Sequence, residues 1–146
     1  MAAGPQYGKQ YIRFAETGLV ADNLAIPQFS VVQVTGATDP ASITNVFAAA
    51  GEALGVLQQE FNTTASGLGT DLLRLGTVAT SGLLLVAMDA GNALAAGDAL
   101  TVNAAGLASN ENPGVASFAV TVNGTAPTVR QLVSIGGTSF ALVSFA

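Results

Sequence analysis

The residue types that carry most enzyme chemistry are nearly missing from this sequence. It contains no histidine and no cysteine, so it has no Ser-His-Asp triad, no thiol nucleophile, no disulfide and no zinc site built on imidazole or thiolate ligands. Its only lysine, Lys9, falls in a stretch near the N-terminus that we predict to be an extended arm, which is a poor setting for a Ser-Lys pair. We therefore predict that the chain is not an enzyme.

The nine carboxylates are the remaining candidates for chemistry. Two carboxylates can act as general acid and base, but the aspartates here stand beside turn residues, where Asp is favoured because it hydrogen-bonds nearby backbone. Asp89, Asn92 and Asp98 could approach a Ca²⁺ ion, yet their spacing is not that of an EF-hand loop, and turn formation explains them better. We expect no cofactor and no metal.

Charge is scarce along the whole chain. Charged residues make up 9% of the sequence, against about 25% in average soluble proteins, and the net charge is −5. The few basic residues are scattered and too few to neutralise nucleic-acid phosphates or an anionic membrane surface: Lys9, Arg13, Arg74 and Arg130. Because interfaces are depleted in Lys, Glu and Asp, we expect a surface that faces other protein subunits, with no nucleic acid, membrane or small-molecule substrate as partner. The alternative is a neutral, Ala- and Gly-rich composition without functional meaning.

Half of the residues are hydrophobic, so a membrane protein has to be considered. The longest uninterrupted apolar run, Leu83 to Met88, is much shorter than the ~20 apolar residues of a spanning helix. The first residues show no apolar stretch after a basic start, so we predict no secretory signal peptide and a soluble protein.

Short apolar or alternating segments, separated by Gly and Asn, indicate a mainly β fold. Their spacing of roughly 8–12 residues is typical of a sandwich or barrel. We predict one β domain over residues 12–146, a small single-domain β-barrel or β-sandwich with an extended N-terminal arm and at most one or two short helices. The predicted strands are 29–35, 55–61, 72–80, 82–88, 99–103, 115–123, 129–137 and 138–146.

Residues 39–55 are ambiguous. Asp39-Pro40 has the features of a helix start, and apolar residues then recur at helical spacing, at Ile43, Val46, Phe47, Ala50 and Leu54. The alternative is two strands, 43–48 and 53–61. We expect one short helix or turn in this stretch.

Both ends of the chain carry candidate contacts to other subunits. Residues 1–11 contain Gly4, Pro5 and Gly8, and this predicts an arm that a neighbouring subunit orders, or a frayed terminus. Residues 9–15 could form a strand that joins a neighbour's sheet edge. The last segment, TSFALVSFA, has large apolar groups on both faces, so one face could meet a partner. The predicted interaction residues are Tyr7, Tyr11, Ile12, Phe14, Phe140 and Phe145.

The stretch from about residue 54 to residue 109 carries a family resemblance. Its turns and strands read Gly55-Val-Leu-Gln58, then Gly76-Thr-Val-Ala-Thr-Ser-Gly82, then Ala95-Ala-Gly-Asp-Ala-Leu-Thr-Val-Asn-Ala-Ala-Gly106. This pattern resembles the capsid cement, or head decoration, proteins of tailed phages. Gly97-Asp98 suits a tight turn, and Asn103-Ala-Ala-Gly106 suits a hairpin loop.

The resemblance implies a structural virion protein that is made in the host cytoplasm and sits on the capsid exterior. Such proteins are commonly homotrimers that bridge neighbouring major capsid protein subunits and stabilise the head. A different β-rich assembly protein, such as a tail, fibre or adhesin-like domain, would share the low charge and remains the alternative.

Overall fold

The structure is a computed structural model that describes residues 10–20, 25–62, 75–89, 94–110 and 116–146. These ranges contain twelve strands and no helix, so the predicted mainly β fold is confirmed. In chain order the strands are β1 (Tyr11–Val20), β2 (Ala25–Ile26), β3 (Val31–Gly36), β4 (Ala41–Thr44), β5 (Gly51–Glu52), β6 (Gly55–Leu57), β7 (Phe61–Asn62), β8 (Leu75–Ala87), β9 (Thr101–Val102), β10 (Phe118–Thr121), β11 (Thr128–Ile135) and β12 (Thr138–Phe145).

Five of these strands close into a small barrel in the order β1-β4-β3-β6-β8, with β8 pairing back to β1. The β1–β4 pair is parallel, and the other four pairs are antiparallel. At Gly18 and Leu19, β1 pairs with β4 on one side and with β8 on the other, and this closes the barrel. Side chains from the barrel strands and from β2 form a fully buried apolar cluster of Val20, Ile26, Val32, Ile43, Leu57 and Val78.

β8 connects this barrel to a second layer. Its first part pairs with β1 and β6, whereas Gly82–Ala87 pairs with β12, which in turn pairs with β11. The sequence predicted two strands here, 72–80 and 82–88, but β8 continues as one strand of 13 residues through Gly82. Gly82 has a φ of 125°, a conformation that residues with a Cβ rarely adopt.

A larger core lies where β8, β11 and β12 meet the three-stranded sheet β5-β10-β9. Phe29 and Phe140 pack edge to face in this core, with ring centroids 5.7 Å apart. Four consecutive residues of β12, from Phe140 to Val143, are buried, so both faces of that strand are covered by this chain.

Residues 39–55 contain no helix, so the helical form of the expected short helix or turn is wrong. β4, β5 and β6 occupy the stretch, and the alternative of two strands is closer, although neither boundary matches. Burial follows a period of two, because Ile43, Asn45 and Phe47 are buried while Val46 is exposed. A polar residue at a buried position disguised this alternation: the Asn45 Nδ2 donates to the carbonyl oxygen of Ala105 at 2.9 Å.

Both predicted turns are present. At Gly97-Asp98 the Asp98 carboxylate accepts from the backbone N–H of Ala95 at 2.9 Å, and Gly97 has a φ of 96°. In the loop from Asn103 to Gly106, the Asn103 Oδ1 accepts from two backbone N–H groups, those of Ala105 and Leu107.

Candidate interaction surface

The start of β1 concentrates exposed apolar side chains. Tyr11 is 63% exposed, Ile12 41% and Phe14 64%. The other large apolar side chains exposed on the described residues lie singly on different segments, at Val34, Val46, Leu75 and Leu132. Single exposed apolar residues are ordinary on protein surfaces, whereas a contiguous group marks a candidate contact site.

This part of β1 has a strand neighbour on one side only. β8 pairs with β1 from Tyr11 to Leu19, but the pairing with β4 begins at Gly18. The second edge of Tyr11–Thr17 therefore has no strand partner among the described residues, and all seven side chains are exposed. An open edge offers unpaired backbone N–H and C=O groups to which another chain can add a strand.

A bulge in β1 lies between Tyr11 and Phe14. Tyr11 pairs with Leu83 and Phe14 with Ser81, so β1 uses three steps where β8 uses two, and Arg13 is the extra residue. Residues two apart on a strand point to the same face. We infer that Tyr11 and Phe14 share a face, whereas in a regular strand a separation of three would place them on opposite faces.

Polar contacts hold the segment in place. The Gln10 Oε1 accepts from the backbone N–H of Leu85 at 2.9 Å, and its Nε2 donates to the Gln58 Oε1 at 3.0 Å. The Thr80 hydroxyl donates to the carbonyl oxygen of Phe14 at 3.3 Å. Since the segment is held before any partner arrives, less conformational entropy is lost on binding.

The predicted interaction residues fall into three groups: exposed residues, buried residues, and Tyr7, which lies outside the described residues. Tyr11, Ile12 and Phe14 lie on the exposed part of β1. Phe140 and Phe145 are 7% and 2% exposed, inside the larger core. They offer almost no surface to a partner in this conformation, and packing within the chain explains the two apolar faces of β12.

The predicted arm falls mostly outside the described residues. Residues 1–9, which include Tyr7, are not among them, and Tyr11 is already the first residue of β1. The sequence allowed a strand over residues 9–15, but nothing in it indicated that the strand would continue to Val20 and close the barrel.

Two further features bear on function. Within the described ranges, no three Asp or Glu side chains come close enough together to hold a metal ion. None of the described residues forms a helix with the length and apolar character needed to cross a membrane.

Comparisons with protein-family models, with curated proteins and with solved structures gave no match for this chain.

Proposed function

We propose that this chain is a structural virion protein that binds the outside of a phage capsid and cements neighbouring major capsid protein subunits. The observation that carries the proposal is the open edge of Tyr11–Thr17, with Tyr11 and Phe14 exposed beside it. The chain acts by binding and not by catalysis.

The edge supplies both affinity and selectivity. An extended segment of a capsid subunit that adds to β1 gains backbone hydrogen bonds along the edge, and its side chains meet the aromatic face. Tyr and Phe contribute large buried areas at contacts, and aromatic residues are enriched at interface centres.

Two sequence features support the same proposal. The low charge suits a subunit whose surface meets other subunits, and the segment 54–109 resembles phage decoration proteins. That segment includes β6, β7, β8 and β9 and the turns at Gly97 and Gly106.

The test is binding of purified protein to capsids prepared without it. The double variant Tyr11→Ser/Phe14→Ser should lower capsid affinity by about tenfold or more, since truncated aromatic anchors commonly cost that much. Cosedimentation over a concentration series measures the affinity, and cryo-electron microscopy locates the bound chain.

The matched control is Val46→Ser/Leu132→Ser, which removes two exposed apolar side chains, 52% and 45% exposed, from other segments. It should leave capsid affinity within about twofold. Equal loss in both double variants would refute the role of the β1 edge. Density for the chain on a tail or fibre, and none on the capsid lattice, would replace the proposal by the alternative assembly role.

A further inference from the structure

A cleft of about 400 Å³ opens at one end of the barrel, between the barrel and the β5-β10-β9 sheet. Two carboxylates stand on its rim, Glu16 from β1 and Glu52 from β5, and both residues are exposed. The backbone N–H of Gly124 donates to the Glu52 Oε1 at 3.3 Å, which orients that carboxylate. Among the described residues that line the cleft there is no lysine or arginine, so these residues give the rim a negative charge.

The cleft is lined by apolar as well as polar residues. Its apolar part, here called the floor, consists of Val34, which is 48% exposed, the half-buried Leu54, and Ala53 and Val122, which are 3% and 2% exposed. Three backbone N–H groups of the floor are already used: Ala53 donates to Thr121 at 2.7 Å, Leu54 to Val32 at 2.8 Å and Val122 to Thr125 at 2.9 Å. The Thr80 hydroxyl, also on the wall, donates to the Phe14 carbonyl oxygen.

We propose that this cleft binds a primary ammonium group attached to a short apolar group. The apolar group fills the floor, and the ammonium stays at the rim, where it meets the carboxylates of Glu16 and Glu52. The volume lies in the range of small-ligand sites, and such sites occur in the mouths of β-barrels. The proposal does not rest on capsid binding, so it stands or fails separately.

A divalent cation fits this cleft less well. Ca²⁺ takes six to eight oxygen ligands and Mg²⁺ takes six in octahedral geometry. Besides the two carboxylates, the side-chain oxygens on the described lining are those of Asn123 and of Thr80, whose hydroxyl already donates to Phe14. An alkyl group, in contrast, gains by leaving water for the apolar residues of the floor.

The test is an NMR titration of the full-length chain with butylamine, followed through the amide signal of Gly124. We expect saturable shifts with a dissociation constant on the order of 1–10 mM, within the range open to so small a ligand. A probe of matched length separates the contributions of the charge and the apolar group. 1-Butanol keeps the apolar group without the charge, so it should bind at least about fivefold more weakly.

The variants Glu16→Gln and Glu52→Gln should each weaken butylamine binding by about threefold to tenfold, because each removes one attractive charge. Glu60→Gln removes the same charge from an exposed position that does not line the cleft and should have no effect. Butylamine binding that survives both cleft variants, 1-butanol binding as tightly as butylamine, or shifts caused by Ca²⁺ and not by butylamine would each overturn the proposal.

The same titration with leucinamide distinguishes two sources of this ligand chemistry. Leucinamide carries the α-ammonium group and apolar side chain of a polypeptide N-terminus. Binding tighter than that of butylamine assigns the cleft to the amino terminus of a protein partner, and weaker binding assigns it to a free alkylamine. If neither ligand shifts the Gly124 signal, the proposal is wrong.

Discussion

Gly82 lies where the strand partner of β8 changes from β1 to β12. It pairs with both Ile12 and Phe145. Its φ is 125°, and a Cβ atom at this position would overlap the carbonyl oxygen of Tyr11. Because the obstacle is backbone and not the flexible end of a side chain, the surrounding structure has little room to adjust.

We expect Gly82→Ala to lower the free energy of unfolding by more than about 3 kcal/mol, or to prevent folding, because steric overlap adds to backbone strain. Gly97→Ala is the control: its φ is also positive, at 96°, but its Cβ would meet nothing within 4 Å. It should cost about 1–2 kcal/mol from strain alone. Urea denaturation of both variants checks this, and equal losses would show that the overlap with Tyr11 is unimportant.

Replacing Phe14 or Phe145 with alanine tests whether the exposed and the buried phenylalanine contribute differently to the free energy of unfolding. Phe145→Ala should lower the free energy of unfolding by about 3–5 kcal/mol, because it empties a buried position that is 2% exposed. Phe14→Ala should change it by less than about 1 kcal/mol, since the ring is 64% exposed. Thermal and urea denaturation measure both. A large loss for Phe14→Ala would mean that its ring stabilises the fold itself.

At the scale of strands, β1 combines two different environments. Gly18–Val20 pairs with β4 on one side, and Gly18 and Leu19 pair with β8 on the other, so this end closes the barrel. Among the described strands, β8 is the only partner of Tyr11–Thr17. β1 therefore completes the barrel at one end and presents the edge of Tyr11–Thr17 at the other. The candidate contact surface is thus continuous with a strand of the barrel.

Hydrogen exchange should reveal this division. The amides of β12, which lies between β8 and β11, should exchange only on global unfolding. Within Tyr11–Thr17, the amides directed away from β8 should exchange at least about a hundredfold faster, because none of the described strands pairs with them. NMR-detected exchange measures both sets. Slow exchange of every amide in Tyr11–Thr17 in the isolated chain would contradict an open edge.

The sequence predicted the elements whose signals are local. The Gly97-Asp98 turn and the loop from Asn103 to Gly106 follow from residues that hydrogen-bond their own backbone, and the apolar alternation of β3 was visible. The helix expected in residues 39–55 was wrong because the buried Asn45 interrupts the apolar alternation of a strand. Its hydrogen-bond partner, the carbonyl oxygen of Ala105, is 60 residues away in the sequence.

The candidate surface was predictable only in part. Tyr11, Ile12 and Phe14 were predicted as contacts from their residue types, and the structure places them on the exposed side of the fold. Phe140 and Phe145 also have aromatic side chains, but they are buried, because both faces of β12 are covered by other residues of this chain. Strand order is set by pairings distant in sequence, so composition alone does not separate an edge strand from a central one.

For the molecule as a whole, the scarcity of charge remains the main constraint on association. With 9% of its residues charged and an aromatic edge exposed, the chain has few means of association other than uncharged contacts. Edge pairing between backbones and burial of aromatic rings depend little on ionic strength, since salt screens mainly exposed charges. From the resemblance to phage decoration proteins we expect self-association, as a trimer, on the capsid.

The two proposed sites should therefore respond oppositely to salt. At about 0.5 M NaCl, butylamine binding to the cleft should weaken several-fold, because its ammonium meets exposed carboxylates on the rim, whereas capsid occupancy through the β1 edge should persist. Cosedimentation measures occupancy, NMR titration measures amine binding, and analytical ultracentrifugation follows the trimer across the same salt series. If salt strips the chain from the capsid while the protein stays folded, its contacts are electrostatic, and the β1 edge is not what holds it. If amine binding is unaffected, Glu16 and Glu52 do not contact the ammonium group.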